Sequence, residues 1–390
     1  MDDQKERRRF LKYLFSLSAF GAGSIYSFKR YLGKIPGNIR MGQAHAMAGS
    51  IKRVKKIAVE EHFTTEKICD YMTSRVESGA KFVSGITTKA SDHTRALMGD
   101  KRLKDMHQAG IDMQVISPVN FHEGFVDPSE GTAAARLIND ETYRIIKQYP
   151  ERFVGFAGLA CQDPEAAAAE LERAVKDLGL RGAMIYSHIQ GEYLDAEKFW
   201  VIFETAERLG VPIYLHPKEP SPDMIKPYLT YPALAGKIWG YAAEAGLHAM
   251  RLICSGLFDK YPGLQIILGH GGEGLPALMW RMGMSSDSSD SGEPPQGGAG
   301  PSGQIPGQPA LKKQPGDYVR ENFYVTTSGM FWEPVLQFLH SAMGPDRVLF
   351  AVDYPAESNI KAVKSVESLD ISNEDKKKIF HLNVEKLLGL

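Results

Sequence analysis

Eight short apolar runs rich in β-branched residues recur along this chain from residue 54 onward, at Ile57–Phe63, Met113–Val119, Phe153–Leu159, Ala183–Ser187, Val211–His216, Leu264–Leu268, Phe323–Thr327 and Val348–Val352. Most are nearly continuous in apolar character, the pattern of strands buried on both faces, which parallel sheets require. Helical patterns separate them, among them 132–149, 164–178 with Pro164 in its first turn, 196–209, 241–260 and 332–342, and a closing helix spans 373–388. Eight strands with a helix after most of them predict an α/β fold, a closed (β/α)8 TIM-type barrel. An open doubly wound sheet is the competing topology, but no Gly-x-Gly-x-x-Gly fingerprint opens any strand-to-helix turn.

At 390 residues the chain is long enough for one such barrel, with 43% hydrophobic residues to fill it. A formal net charge of -1 gives no general attraction to nucleic acid or acidic lipid. Three cysteines at no metal-like spacing read as core residues, not as a zinc site or disulfide frame.

Two stretches break the alternation. Residues 64–112 separate the first two strands by more than one helix needs and predict an elaborated loop able to cover the barrel mouth. Residues 285–316, rich in Ser, Gly, Pro and Gln, predict a flexible, disordered insertion that cannot pack.

Ahead of the barrel, Arg7-Arg8-Arg9-Phe10-Leu11-Lys12 matches the twin-arginine export pattern, and a weakly apolar run from Tyr13 to Phe28 follows. That run is short of the roughly twenty apolar residues of a membrane span. Residues 1–48 are therefore expected to be a twin-arginine signal peptide and linker, cleaved after Ala46 or Ala48, and 54–390 the barrel with its insertion. Export by the twin-arginine machinery to the periplasm is the expected localisation, and a cytoplasmic protein with a basic tail the alternative.

In barrels of this kind reactive groups gather at the C-terminal ends of strands. The first strand ends in Glu60-Glu61-His62, and its period of two sends Glu60 and His62 to one side and Glu61 to the other. His216 ends the fifth strand and Asp353 the eighth. The sixth breaks into Gly269-His270-Gly271-Gly272-Glu273-Gly274, where glycines allow close backbone approach. Carboxylates and imidazoles delivered by several strand ends suit a divalent metal. His122, His188, Lys218 and Glu219 follow strand ends and are candidates to line the pocket.

From about Lys56 to the C-terminus the chain resembles the amidohydrolase superfamily, through "IAVEEHF", "YLHP", "HAMRLICSGLFDKYPGLQIILGHGGEGLPALMWRM", "ENFYVTTSGMF" and "DRVLFAVDYP". Within it the resemblance is to the branch of aminocarboxymuconate-semialdehyde, γ-resorcylate and dihydroxybenzoate decarboxylases. It implies that Glu60, His62, His216 and Asp353 hold one divalent ion, zinc, manganese or magnesium. It further implies that His270 and Glu273 act in catalysis beside Asp353 and that Arg281 faces the substrate; His188 and His122, from their places just past the fourth and second strands, are expected to bind substrate with it. The implied reaction is non-oxidative decarboxylation of a hydroxybenzoate-like or related unsaturated carboxylic acid, with a homo-oligomer possible. A hydrolase of a lactone, amide or similar bond could use the same ligands.

Overall fold

Several helices of this protein begin where the sequence supplies a capping side chain. Thr65 accepts from the Ile68 amide to open Glu66–Glu77, Asp127 caps Pro128–Gln148 through the Ser129 amide, and Asp163 caps Pro164–Lys176 through the Ala166 amide. Each cap satisfies an amide that has no partner inside the helix, and proline at the first helical position forfeits no bond. The computed structural model describes residues 53–82, 98–284 and 311–390. The expected signal peptide, most of the insertion and the middle of the first loop lie outside these residues.

All eight strands form: β1 Ile57–Phe63, β2 Met113–Pro118, β3 as Phe153–Gly155 and Ala157–Gly158, β4 Ala183–Tyr186, β5 Ile213–His216, β6 Ile266–Leu268, β7 Phe323–Thr326 and β8 Val348–Leu349. Every neighbouring pair is parallel. Phe156 divides β3, yet its amide still donates to Ile116 on β2. The chain after β8 returns to β1: Val59 donates to Phe350 O, Asp353 to Glu60 O and His62 to Tyr354 O. These bonds close the sheet, so the (β/α)8 barrel expected from the strand count is the fold.

The interior follows the period of two. Ile57 and Val59, Met184 and Tyr186, Tyr214, Ile267, Tyr324, and Leu349 and Ala351 form one buried apolar cluster, joined by Val384 and Leu388 from the last helix. Continuing the same parity along β5, β7 and β8 leads to His216, Thr326 and Asp353 at the mouth. On β1 the parity changes, because Ala58 pairs with Gln114 while Glu61 pairs with Ile116, three steps against two. This bulge moves the inward phase from Ile57 and Val59 to Glu60 and His62.

Several expected boundaries shift. The helix expected at 132–149 begins already at Pro128, where Asp127 provides the cap. The single helix expected over 241–260 is two, Gly240–Cys254 and Leu257–Lys260, divided at Gly256 with φ 82°. The insertion ends earlier than its composition suggests. Leu311 is buried, Lys312 donates to Asp259 through its amide, and Pro315–Asn322 forms a helix with Pro315 and Gly316 buried. Among the described residues no helix is long and apolar enough to cross a membrane.

Candidate metal centre

Strand ends β1, β5 and the segment after β8 bring Glu60, His62, His216 and Asp353 together, each offering a ligand atom within 4.8 Å of the others. Glu60 is fully buried. Its Oε2 accepts from the Tyr214 hydroxyl and, at 3.4 Å, from Thr326 Oγ1. Its Oε1 lies 3.3 Å from His216 Nε2 and 3.6 Å from His270 Nε2. His62 Nε2 stands 3.5 Å from Asp353 Oδ1.

Neighbours set the tautomers of both histidines, His62 and His216. His216 Nδ1 is 2.6 Å from Pro217 O, and a carbonyl only accepts, so Nδ1 carries the hydrogen and in the neutral ring Nε2 turns a lone pair to the centre. The Tyr186 hydroxyl donates to Pro118 O, which leaves its oxygen to accept from His62 Nδ1 at 3.1 Å; Ser117 Oγ is 3.3 Å from the same nitrogen. His62 Nε2 and Glu60 Oε1 are buried and have no hydrogen-bond partner. Buried polar atoms of this kind are costly unless something satisfies them, and facing lone pairs call for a cation between them. Two imidazoles and two carboxylates fit a divalent metal.

Charge is crowded here. Burial alone would raise the Glu60 carboxyl, but His270, His216 and His62 hold it well below the ordinary carboxylate range. Burial, aided by His216, pushes His62 down to about 3. Burial also raises Asp353, against the opposing pull of its bond to His270. For His270 burial acts downward, and the carboxylates of Glu60, Glu273 and Asp353 outweigh it, raising the ring well above its usual value.

His270 stands just past β6 with its Nδ1 2.9 Å from Glu273 Oε1 and its Nε2 3.8 Å from Asp353 Oδ2. Its backbone, held by Ser328 Oγ at 3.1 Å, has φ 48°, and that of Asp353 has φ 72°. Non-glycine residues in this left-handed region concentrate where function over-determines the backbone. The glycines around them serve two purposes. A Cβ on Gly269 would lie 2.9 Å from the Tyr214 hydroxyl and 3.2 Å from Glu60 Oε2, while Gly271 and Gly272 take φ 73° and 77°.

The other expected pocket residues are placed differently. His188 accepts from the Gly191 amide at Nδ1 and reaches Glu219 O at 3.1 Å with Nε2, so it clasps two loops and has no ring nitrogen left for a ligand. His122 is fully buried beside Gly158, so it presents no accessible surface to a ligand. Arg281 is exposed, at the edge of the undescribed insertion. Lys218 turns inward, 3.6 Å from Glu123 Oε2, and Glu219 is exposed, accepting from the Tyr241 hydroxyl at 3.3 Å. Burial raises Glu123 to about 7 despite Lys218.

Tyr186, Tyr214 and Thr326 were not foreseen. Tyr214 precedes His216 by two residues on one strand, so the rule that paired Glu60 with His62 would have found it.

The Amidohydrolase family model matches residues 57–288 and 291–390. The chain belongs to the amidohydrolase family. Among curated relatives of this amidohydrolase, γ-resorcylate decarboxylase of a Polaromonas species is 37% identical over 342 residues, covering 86% of this chain and 98% of the relative. Among solved structures, 5-carboxyvanillate decarboxylase from Sphingomonas paucimobilis aligns with TM-score 0.76 and 30% identity over 87% of this chain and 100% of that one. Dihydroxybenzoic acid decarboxylase from Polaromonas, with bound manganese and the inhibitor 2-nitroresorcinol, aligns with TM-score 0.73 and 36% identity over 87% and 98%.

Proposed function

We propose that this amidohydrolase is a metal-dependent, non-oxidative decarboxylase of a hydroxybenzoate-like acid. The observation that carries the reading is the meeting of Glu60, His62, His216 and Asp353 around buried, unpartnered Glu60 Oε1 and His62 Nε2. The decarboxylases among its relatives support the reaction, and the manganese of the Polaromonas structure supports manganese over zinc or magnesium.

Glu60, His62, His216 and Asp353 would hold the divalent ion, which when bound would supply Lewis acidity toward the carboxylate and ortho hydroxyl of the substrate. In this reading Asp353, whose neutral form burial favours, is the group that delivers a proton to the ring carbon bearing the carboxylate. The carbon-carbon bond then breaks, its electron pair restores the aromatic ring, and carbon dioxide departs. His270, protonated beside Glu273, steadies the carboxylate that Asp353 becomes until solvent returns the proton. Arg281 is proposed to reach the substrate only from outside the centre, since its side chain is exposed.

The test is a panel of hydroxybenzoates and lactones incubated with metal-reconstituted protein. Carbon dioxide from a hydroxybenzoate is expected; silence there with turnover of lactones would move the site to a hydrolase.

Two further expectations belong to the same proposal. Export is supported by the paired arginines at 7 and 8 and the apolar run behind them; mass measurement of a periplasmic fraction should find a chain cleaved after residue 46 or 48. Self-association is a further expectation, and light scattering measures it directly.

A further inference from the structure

Behind β1, on the side away from the metal centre, three fully buried polar residues form a chain. Arg102, on the helix Asp100–Ala109, donates from Nε to Gln114 Oε1 at 2.7 Å and from Nη1 to the His62 carbonyl at 2.8 Å. Gln114 Nε2 donates to Glu61 Oε2 at 2.7 Å. Glu61 Oε1 accepts from the Val352 amide at 3.0 Å. The guanidinium also lies over the Tyr354 ring, 4.8 Å from its centroid.

The two ends of this chain are backbone groups: the carbonyl of one proposed ligand, His62, and the amide next to another, Asp353. Its middle spans the bulge between Ala58 and Glu61 that turns Glu60 inward. Without the extra residue, the parity of Ile57 and Val59 would send Glu61 into the barrel and Glu60 into the wall. Glu61 is held on the outside by Gln114 and Val352, so the phase is locked.

We infer that Arg102, Gln114 and Glu61 form a positioning network that holds the β1 bulge in phase and so sets the placement of Glu60, His62 and Asp353 toward the metal. The inference rests on the metal-dependent reading above. Stability alone does not account for the network. Well-packed apolar side chains commonly match or exceed a buried ionic set in stability, because taking charges out of water costs more than their attraction returns. What the polar chain supplies is direction, through bonds that end on ligand-bearing backbone. Glu61, on the opposite side of β1 from Glu60 and His62, is the outward half of the same device.

The test uses the full chain and manganese itself, with affinity measured by chelator competition and the metal-free melting temperature recorded beside it. Arg102→Met should bind manganese about tenfold to a hundredfold more weakly, the usual cost of losing a partner behind a ligand. Arg102→Lys keeps the charge but not the fork, and should recover only part of the loss. Gln114→Met severs the relay without removing a charge and should weaken binding in the same direction; it carries the test by itself should Arg102→Met not fold. A purely structural role would lower the melting temperature while leaving manganese affinity within about twofold of wild type, and that outcome overturns the inference. Wild-type protein that binds no divalent ion would instead overturn the proposed function, so the two failures are distinct.

Discussion

His216 Nδ1 lies 2.6 Å from the carbonyl oxygen of the next residue, Pro217, so the strand that delivers this histidine also chooses its tautomer. The bond leaves Nε2 bare and directed at Glu60 Oε1, 3.3 Å away. Replacing His216 with alanine should abolish stoichiometric metal binding, read by elemental analysis of the purified protein. Retention of one ion per chain would remove His216 from the ligand set.

Asp353 is given two tasks, ligand and proton donor. Asp353→Asn keeps its shape and an oxygen but cannot pass a proton to carbon. Turnover should fall by about a hundredfold to ten-thousandfold, the range for losing a positioned acid, with the fold unchanged by circular dichroism. Activity within a few-fold of wild type would place the donor elsewhere.

Glu273 acts through His270, which it holds at 2.9 Å. Glu273→Gln should lower kcat by about tenfold to a hundredfold and leave manganese affinity near wild type, because neither residue of the pair is a proposed ligand. A large loss of affinity would argue that His270 coordinates the ion after all.

Gly269→Ala offers a sharper steric test. The added methyl would press on the Tyr214 hydroxyl at 2.9 Å and on both Glu60 oxygens at 3.2 and 3.3 Å. Glu60 is fully buried and cannot retreat into solvent. Weaker metal binding is expected, and unchanged affinity would show that the carboxylate has room the packing denies it.

Stability should fall with acid for reasons outside the centre. His122 and His248 are fully buried, and burial first, then nearby charges including Lys218, pushes each down to about 3. Both stay neutral in the fold while an unfolded histidine takes a proton near pH ~6.5. Their contribution is thus complete above about pH 6.5 and is lost as pH falls toward about 3, each by ~1.4 kcal/mol per pH unit. His122→Leu should narrow the difference in urea stability between pH 7 and pH 5 by about 2 kcal/mol. An unaltered difference would mean that His122 is protonated inside the fold.

The barrel and the four proposed ligands were legible because both rest on local pattern. Apolar runs mark strands buried on two faces, and each ligand stands where such a run ends. What was not legible depends on distant partners. Glu61 is adjacent to two proposed ligands, but its bonds go to Gln114 and Val352, and only the closed barrel brings these together. His188 and His122 follow strand ends as His216 does. Their different fates were decided by the Gly191 amide, the Glu219 carbonyl and the packing against Gly158, none of which has a signature in sequence. The bulge in β1 was equally hidden: the period of two pairs Glu60 with His62 correctly, but it does not say which pair faces inward.

The central claim is that carbon dioxide release depends on an ion held by Glu60, His62, His216 and Asp353. The most direct measurement follows carbon dioxide from a 2,6-dihydroxybenzoate-type substrate with chelator-stripped protein, then during titration with manganese. The account predicts no release from the stripped protein and a rise that saturates near one ion per chain. Undiminished release from protein shown to be free of metal would contradict it.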